Sequence, residues 1–244
     1  MKYLDNLTSK LLKKNLSFKE FEIFLEDYDS FFDSAELELQ LLISNGYPIN
    51  LTDNNIFLKT AVSNIEDQTF CIVDIETSAP NIKDGQIIEI GAIRYKNGKI
   101  IEKYQSFVNT YSIPQKVQEL TSITLQMVED APSLKNVLEE FKLFVEDDII
   151  VAHNIGFDYK YISDSLDYYN LGGLANRSLC TIELTKKLFK LEKYGLKTLI
   201  EFFNIENLSH HRAYDDAYAT MVIFEHCLKQ LPYNIKTVED LLHF

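Results

Sequence analysis

Asp74 and Glu76 stand in the run Phe70-Cys71-Ile72-Val73-Asp74-Ile75-Glu76, which is otherwise apolar throughout. Such a run predicts a strand covered on both faces. Because side chains alternate, the two acids share one face, about 7 Å apart along the strand. Two carboxylates in a half-covered place repel each other and resist ionisation. A hard divalent cation removes that conflict, and oxygen donors of this kind suit Mg²⁺ or Mn²⁺. A strand running out into a polar loop would show the same residues, so this segment alone leaves the choice open.

Two further segments carry matching chemistry. Ile149–Ala152 predicts a short buried strand, followed by a turn at His153-Asn154-Ile155-Gly156 and a helix starting near Phe157. Asp158 heads that helix's stripe of Tyr161, Ile162, Leu166 and Tyr169. A first-turn acid is favoured by the helix dipole alone, yet the place just past a strand's carboxyl end is where open α/β sheets hold ligands. The last segment opens a helix from Ala213 to about Lys229, with an inward stripe of Ala213, Asp216/Ala217, Thr220/Met221, Phe224 and Leu228. An unpaired acid on a core-facing stripe is costly, which assigns Asp216 to metal and Asp215 to solvent or the first turn. His211 precedes the helix on a loop able to swing over the site, although by itself it would read as an exposed loop histidine. Together, four carboxylates and an imidazole make sense as a two-metal site for hydrolysing phosphodiesters.

Residues 69 to about 230 resemble the DEDDh class of 3′–5′ exonucleases, in particular the DnaQ-like proofreading (epsilon) subunits of bacterial DNA polymerase III. The matching stretches are Val73-Asp74-Ile75-Glu76-Thr77, Gln86-Ile87-Ile88-Glu89-Ile90-Gly91-Ala92, Leu120-Thr121-Ser122-Ile123-Thr124, Ala152-His153-Asn154-Ile155-Gly156-Phe157-Asp158 and His211-Arg212-Ala213-Tyr214-Asp215-Asp216-Ala217. The resemblance implies two Mg²⁺ or Mn²⁺ ions. Asp74, Glu76 and Asp216 would hold one, with Asp74 bridging to the second near Asp158. His211, five residues before Asp216, would be the general base that takes the proton of the attacking water, and the product would be a nucleoside 5′-monophosphate. The family's Asp-x-Glu is usually followed by Thr-Thr-Gly, whereas this chain reads Thr77-Ser78-Ala79-Pro80. That loop normally meets the terminal nucleotide, so Thr77 is a substrate-binding candidate and the fit to the 3′ end is expected to differ. Asn154 could hydrogen-bond the scissile phosphate or merely close its turn. Phe157 could stack on a terminal base or be the first core residue of its helix.

Several elements must position these groups. Ile87–Tyr95 and Lys99–Val108 predict a hairpin across Lys96-Asn97-Gly98, whose Asn-Gly pair is a strong turn signal. Helices are expected at Pro114–Leu120, Ser133–Val145, Ile182–Phe189 and Leu196–Phe203, with a last strand near Ser178–Thr181. The fold class is therefore α/β, a mixed five-stranded sheet flanked by helices, and the resembled family's ribonuclease H-like fold is such a sheet. The domains read as residues 1–65, a small helical or winged-helix-like module; 66–232, the exonuclease domain; and 233–244, a short tail. In the module, helices near Tyr3–Lys14, Phe18–Tyr28 and Ala35–Ser44 precede strands around Thr52-Asp53-Asn54, and 61–68 read as a linker. Its third helix carries Glu36 and Glu38 and no Lys or Arg. An acidic helix repels phosphate, so packing or protein docking fits better than DNA reading.

A formal net charge of −13 over 244 residues argues against gripping nucleic acid by its backbone. An enzyme that holds a few terminal nucleotides through cations needs no broad basic patch, and a polymerase partner would hold the DNA. Cys71, Cys180 and Cys227 lie far apart in apolar segments and read as reduced core residues of a cytosolic protein. No run approaches transmembrane length. The expected substrate is a single-stranded DNA 3′ end, with RNA ends or short oligonucleotides as the alternative. A non-catalytic nuclease-fold scaffold that binds a polymerase is the reading from a different class.

Overall fold

The computed structural model describes residues 2–28, 34–52, 55–206 and 211–244. The N-terminal part comprises α1 (Lys2–Leu11), β1 (Leu16–Ser17), α2 (Phe18–Glu26), α3 (Ala35–Ser44), β2 (Ile49–Thr52), β3 (Asn55–Leu58) and α4 (Lys59–Val62). Its strands pair antiparallel in the order β1-β3-β2, so the expected hairpin gains a third strand too short to show periodicity. Ser17 and Glu20 form a reciprocal capping box on α2, and Ser34 caps α3 by accepting the Leu37 amide. Asp53 and Asn54, named above as the hairpin turn, lie outside the described residues.

The remaining chain forms β4 (Phe70–Thr77), β5 (Ile87–Lys96), β6 (Lys99–Phe107), α5 (Gln115–Thr121), α6 (Leu125–Val128), α7 (Leu134–Val145), β7 (Ile149–Ala152), α8 (Ile155–Tyr168), β8 (Ser178–Cys180), α9 (Thr181–Leu188), α10 (Leu196–Phe203), α11 (Ala213–Lys229) and α12 (Val238–His243). The five strands are ordered β6-β5-β4-β7-β8. β4, β5 and β6 run antiparallel, whereas β7 and β8 lie parallel to β4. This is the mixed five-stranded sheet expected from the sequence. Asn97 and Gly98 both take positive φ (46° and 74°) in the β5–β6 turn, as a two-residue turn of this kind requires.

Alternation along β4 divides the core. Cys71, Val73 and Ile75 face α7 and α8, while Phe70 and Ile72 face Leu199, Phe224 and Val238 on the other side. By that same alternation Asp74 and Glu76 point toward α11. The inward face of α11 is broader than the expected stripe: Ala219, Ile223 and Cys227 are also buried, because the helix lies directly on β4 and β5. None of the three cysteines is in a disulfide; Cys71 and Cys227 are core residues as expected, whereas Cys180, at the end of the edge strand β8, is only half-buried. No helix among the described residues is long and apolar enough to cross a membrane.

The segment 61–68 does not behave as an independent tether. The Ile65 amide donates to Lys236 O at 3.1 Å and the Val238 amide to Ser63 O at 3.0 Å. The last residues form α12, whose Val238 and Leu241 join the core beneath the sheet. Glu239 of that helix takes a two-point bond from Arg177 (2.7 and 3.2 Å) and a hydrogen bond from Thr60 of α4. One carboxylate thus ties the N-terminal part, the loop before β8 and the C-terminal helix. Replacing Glu239 with alanine leaves a largely covered guanidinium unpaired, a loss of about 3 kcal/mol. The expected thermal midpoint falls by about 6–12 °C; calorimetry giving an unchanged midpoint would contradict the tie.

Candidate active site

β4 and β7 pair only from Phe70↔Ile149 to Ile72↔Val151. Beyond that point β7 ends, the chain turns through His153 and Asn154, and α8 begins. Asn154 makes the turn in the left-handed region, φ 76°, which asparagine tolerates better than most residues. The gap leaves the Ile75 amide without a strand partner, and Asp158 fills it: its Oδ1 accepts the Ile75 N–H at 3.3 Å. An acid on a helix over one face therefore reaches through the sheet's open edge to the strand carrying Asp74 and Glu76. Asp158 is 4% exposed.

α11 supplies the other wall. Asp216 is 8% exposed, on the side to which Asp74 and Glu76 point. Carboxylate oxygens of Glu76 and Asp216 and a ring nitrogen of His211 lie within 4.8 Å of one another. His211 is exposed and adopts φ 62°.

The charges behave as crowded acids should. Burial drives the Asp74 carboxyl well above the usual range, helped by Asp158, then Asp216, Glu76 and Glu89. Glu76 is pushed up to about 8, by burial first and then by Asp216, Glu89 and Asp158, with Arg212 opposing. Asp158 rises to about 7 through burial, opposed by its own amide and that of Ile75. These acids tolerate ionisation poorly unless positive charge joins them. Their oxygen donors, with one imidazole nearby, fit hard divalent cations, and Asp74, Glu76, Asp158 and Asp216 are the residues that would hold them.

The folded state raises these pKa values, so their stabilising contribution is complete below the ordinary carboxylate range. It is lost as pH rises through about 7 to 8. Cations replace those protons. Saturating Mn²⁺ should therefore raise the thermal midpoint more at about pH 8.5 than at about pH 5.5, by about 2–4 °C for each kcal/mol of difference. Equal shifts at both pH values would count against cation binding by these carboxyls.

The remaining candidates lie at the end of β4 and the start of α8. Thr77 ends β4 beside a bulge, where Glu76 faces Glu89 but Thr77 faces Ile87; bulges of this sort re-aim side chains near sites. The divergent loop after it is closed by the Ser78 amide on Gln86 O (2.8 Å) and the Gln86 amide on Ser78 Oγ (2.9 Å). Phe157 is 37% exposed, its ring 5.7 Å from that of Tyr161. Asn154 is exposed and makes no side-chain cap bond to α8.

Glu89 and Arg212 received no role from the sequence. Glu89 is fully buried in β5 and pairs in register with Glu76. Two acids directly opposite each other on neighbouring strands repel, and Arg212 meets this charge by binding Glu89 at 2.9 Å. The available signal was an acid inside the apolar run Ile87-Ile88-Glu89-Ile90, the same signal that singled out Asp74.

The exonuclease family RNase_T matches residues 71–224, a span that contains every acid of this pocket. The chain belongs to the DnaQ-like exonuclease family. This exonuclease is 37% identical over 170 residues to the DNA polymerase III subunit epsilon of Aquifex aeolicus, covering 69% of this chain and 84% of that one. It is also 37% identical over 211 residues to the PolC-type DNA polymerase III of Caldanaerobacter subterraneus, covering 85% of this chain. The chain spans 13% to 15% of the length of the PolC-type polymerases it matches. Among solved structures, exonuclease X in complex with 5′ overhanging duplex DNA superposes with a TM-score of 0.54 at 25% identity, over 66% of this chain and 91% of that one. The mixed sheet is thus the ribonuclease H-like sheet of these exonucleases.

Proposed function

We propose that this exonuclease removes nucleoside 5′-monophosphates from DNA 3′ ends with two Mg²⁺ or Mn²⁺ ions, proofreading for a replicative DNA polymerase. The observation that carries this reading is the junction of Asp158 with the Ile75 amide at 3.3 Å. It brings the fourth carboxylate to a strand already facing Asp216 and His211. Bound cations would acidify the attacking water and neutralise the departing 3′ oxygen. Asp74, Glu76, Asp158 and Asp216 hold that positive charge in place. His211, at the solvent side of Glu76 and Asp216, accepts the water's proton. Phe157 would stack on a terminal base, Thr77 would meet the terminal nucleotide, and Asn154 would hydrogen-bond the scissile phosphate.

The likeness to epsilon and PolC-type chains supports the proofreading role and a polymerase partner. The net charge of −13 fits a partner that holds the DNA. We also take residues 1–65 as a module, 66–232 as the exonuclease domain and 233–244 as a C-terminal segment that ties the two. The test compares digestion of 5′-labelled DNA primers, matched and mismatched at the 3′ end, with RNA of equal length. Stepwise 3′ shortening is expected with Mg²⁺, faster on the mismatched primer and slower on RNA. Faster RNA digestion would transfer the reading to RNA ends, and no shortening of either would leave the scaffold reading.

A further inference from the structure

The first turn of α11 is held from outside the helix. Arg212, at the N-cap position, makes no side-chain cap bond. The cap comes instead from β5: Glu89 Oε2 accepts the Ala213 amide at 3.1 Å, the first amide of the helix. The same carboxylate accepts from Arg212 Nε (3.3 and 3.1 Å) and Nη2 (2.9 Å), and from Gln105 Nε2 at 3.0 Å. A fully buried carboxylate is costly unless its lone pairs are filled, and here four donor groups fill them. The carboxylate also lies where the positive end of the helix dipole favours it.

Two residues along the same strand face, Gly91 lets the backbones touch. A Cβ there would stand 2.3 Å from Tyr214 N and 2.4 Å from Ala213 C. The guanidinium of Arg212 also lies over the Phe107 ring, 5.1 Å from its centre. The residue immediately before this clamp is His211, whose left-handed backbone (φ 62°) persists in a non-glycine residue only where neighbours enforce it.

We propose that Glu89 is a positioning residue for the reaction: its grip on Arg212 and on the first amide of α11 sets the backbone so that the His211 imidazole faces Glu76 and Asp216. This rests on the reading of His211 as the proton acceptor. The Glu89 oxygens are taken up by Arg212, Gln105 and the Ala213 amide, so it acts through Arg212. Glutamine at this position keeps the shape but turns one acceptor oxygen into a donor aimed at groups that are themselves donors.

The experiment is a double-mutant cycle in the full chain, comparing Glu89→Gln, His211→Ala and the pair on a short DNA substrate, with Mn²⁺ affinity and far-UV melting recorded for each. Glu89→Gln alone should lower kcat about 10- to 100-fold, as a misplacement near 1 Å does, with KM and Mn²⁺ affinity within about threefold of native. In the His211→Ala background the same change should cost less than about threefold, because the group it positions is gone. If Glu89→Gln fails to fold, Arg212→Lys, which loses the fork but keeps the charge, carries the cycle. A native kcat in Glu89→Gln, or losses that multiply in the pair, overturns the proposal. A His211→Ala enzyme as fast as native would instead overturn the reading of His211, whatever Glu89→Gln does.

Discussion

Asp74→Ala should lower 3′ end hydrolysis by at least about 10³-fold, the equivalent of several kcal/mol of lost charge stabilisation. Four neighbouring carboxylates, Asp158, Asp216, Glu76 and Glu89, all raise the Asp74 pKa, after burial itself. Removing Asp74 takes away a buried carboxyl on which those repulsions converge. The same substitution should leave the cation-free protein at least as stable as native at about pH 8, because the like-charge repulsion falls. It should also erase most of the thermal shift that Mn²⁺ gives the native chain. Rates and melting curves with and without Mn²⁺ test both halves. Native-like hydrolysis would remove Asp74 from the site, and marked cation-free destabilisation would mean that its carboxyl is structural.

His211→Ala should slow hydrolysis by about 10²- to 10⁴-fold through lost proton transfer while cation affinity stays within a few-fold of native. The expectation follows from its place. The imidazole lies within 4.8 Å of Glu76 and Asp216 oxygens, yet the residue is exposed to solvent, as a group passing protons outward must be. Alanine at φ 62° carries backbone strain of its own, so His211→Asn belongs beside it, because asparagine tolerates that conformation. Both variants should lose the same order of rate. Titration showing a tenfold or greater loss of Mn²⁺ affinity in both would make His211 a ligand.

The signals in the chain were uneven in what they reported, and the reasons are physical. Acids inside apolar strands or on a core-facing helical stripe are costly, so Asp74, Glu76 and Asp216 were legible before any fold was known. Asp158 was legible as a first-turn acid, but a helix dipole accounts for such a residue equally well. The bond to the Ile75 amide, formed because β7 stops short, adds what the dipole does not require: it joins Asp158 to the strand of Asp74 and Glu76. Helices with clear apolar stripes, such as α10 and α11, coincide with their sequence boundaries. β1, α4, α6 and α12 are two to six residues long, too short for a periodic pattern, and they form because neighbours supply partners.

Residue types and their order alone determined the class of chemistry here: an oxygen-rich pocket with an imidazole, carried by a mixed sheet. They also determined which face of β4 its two acids share, since alternation follows from backbone geometry. Only the tertiary structure decided that Glu89 and Arg212 hold the entrance to α11, and that Glu239 joins α4, the loop before β8 and α12. Those contacts join residues more than 100 positions apart for Glu89 and Arg212, and for Glu239 and Thr60. No local pattern encodes such pairs, because their energy exists only once the sheet has brought the partners into contact.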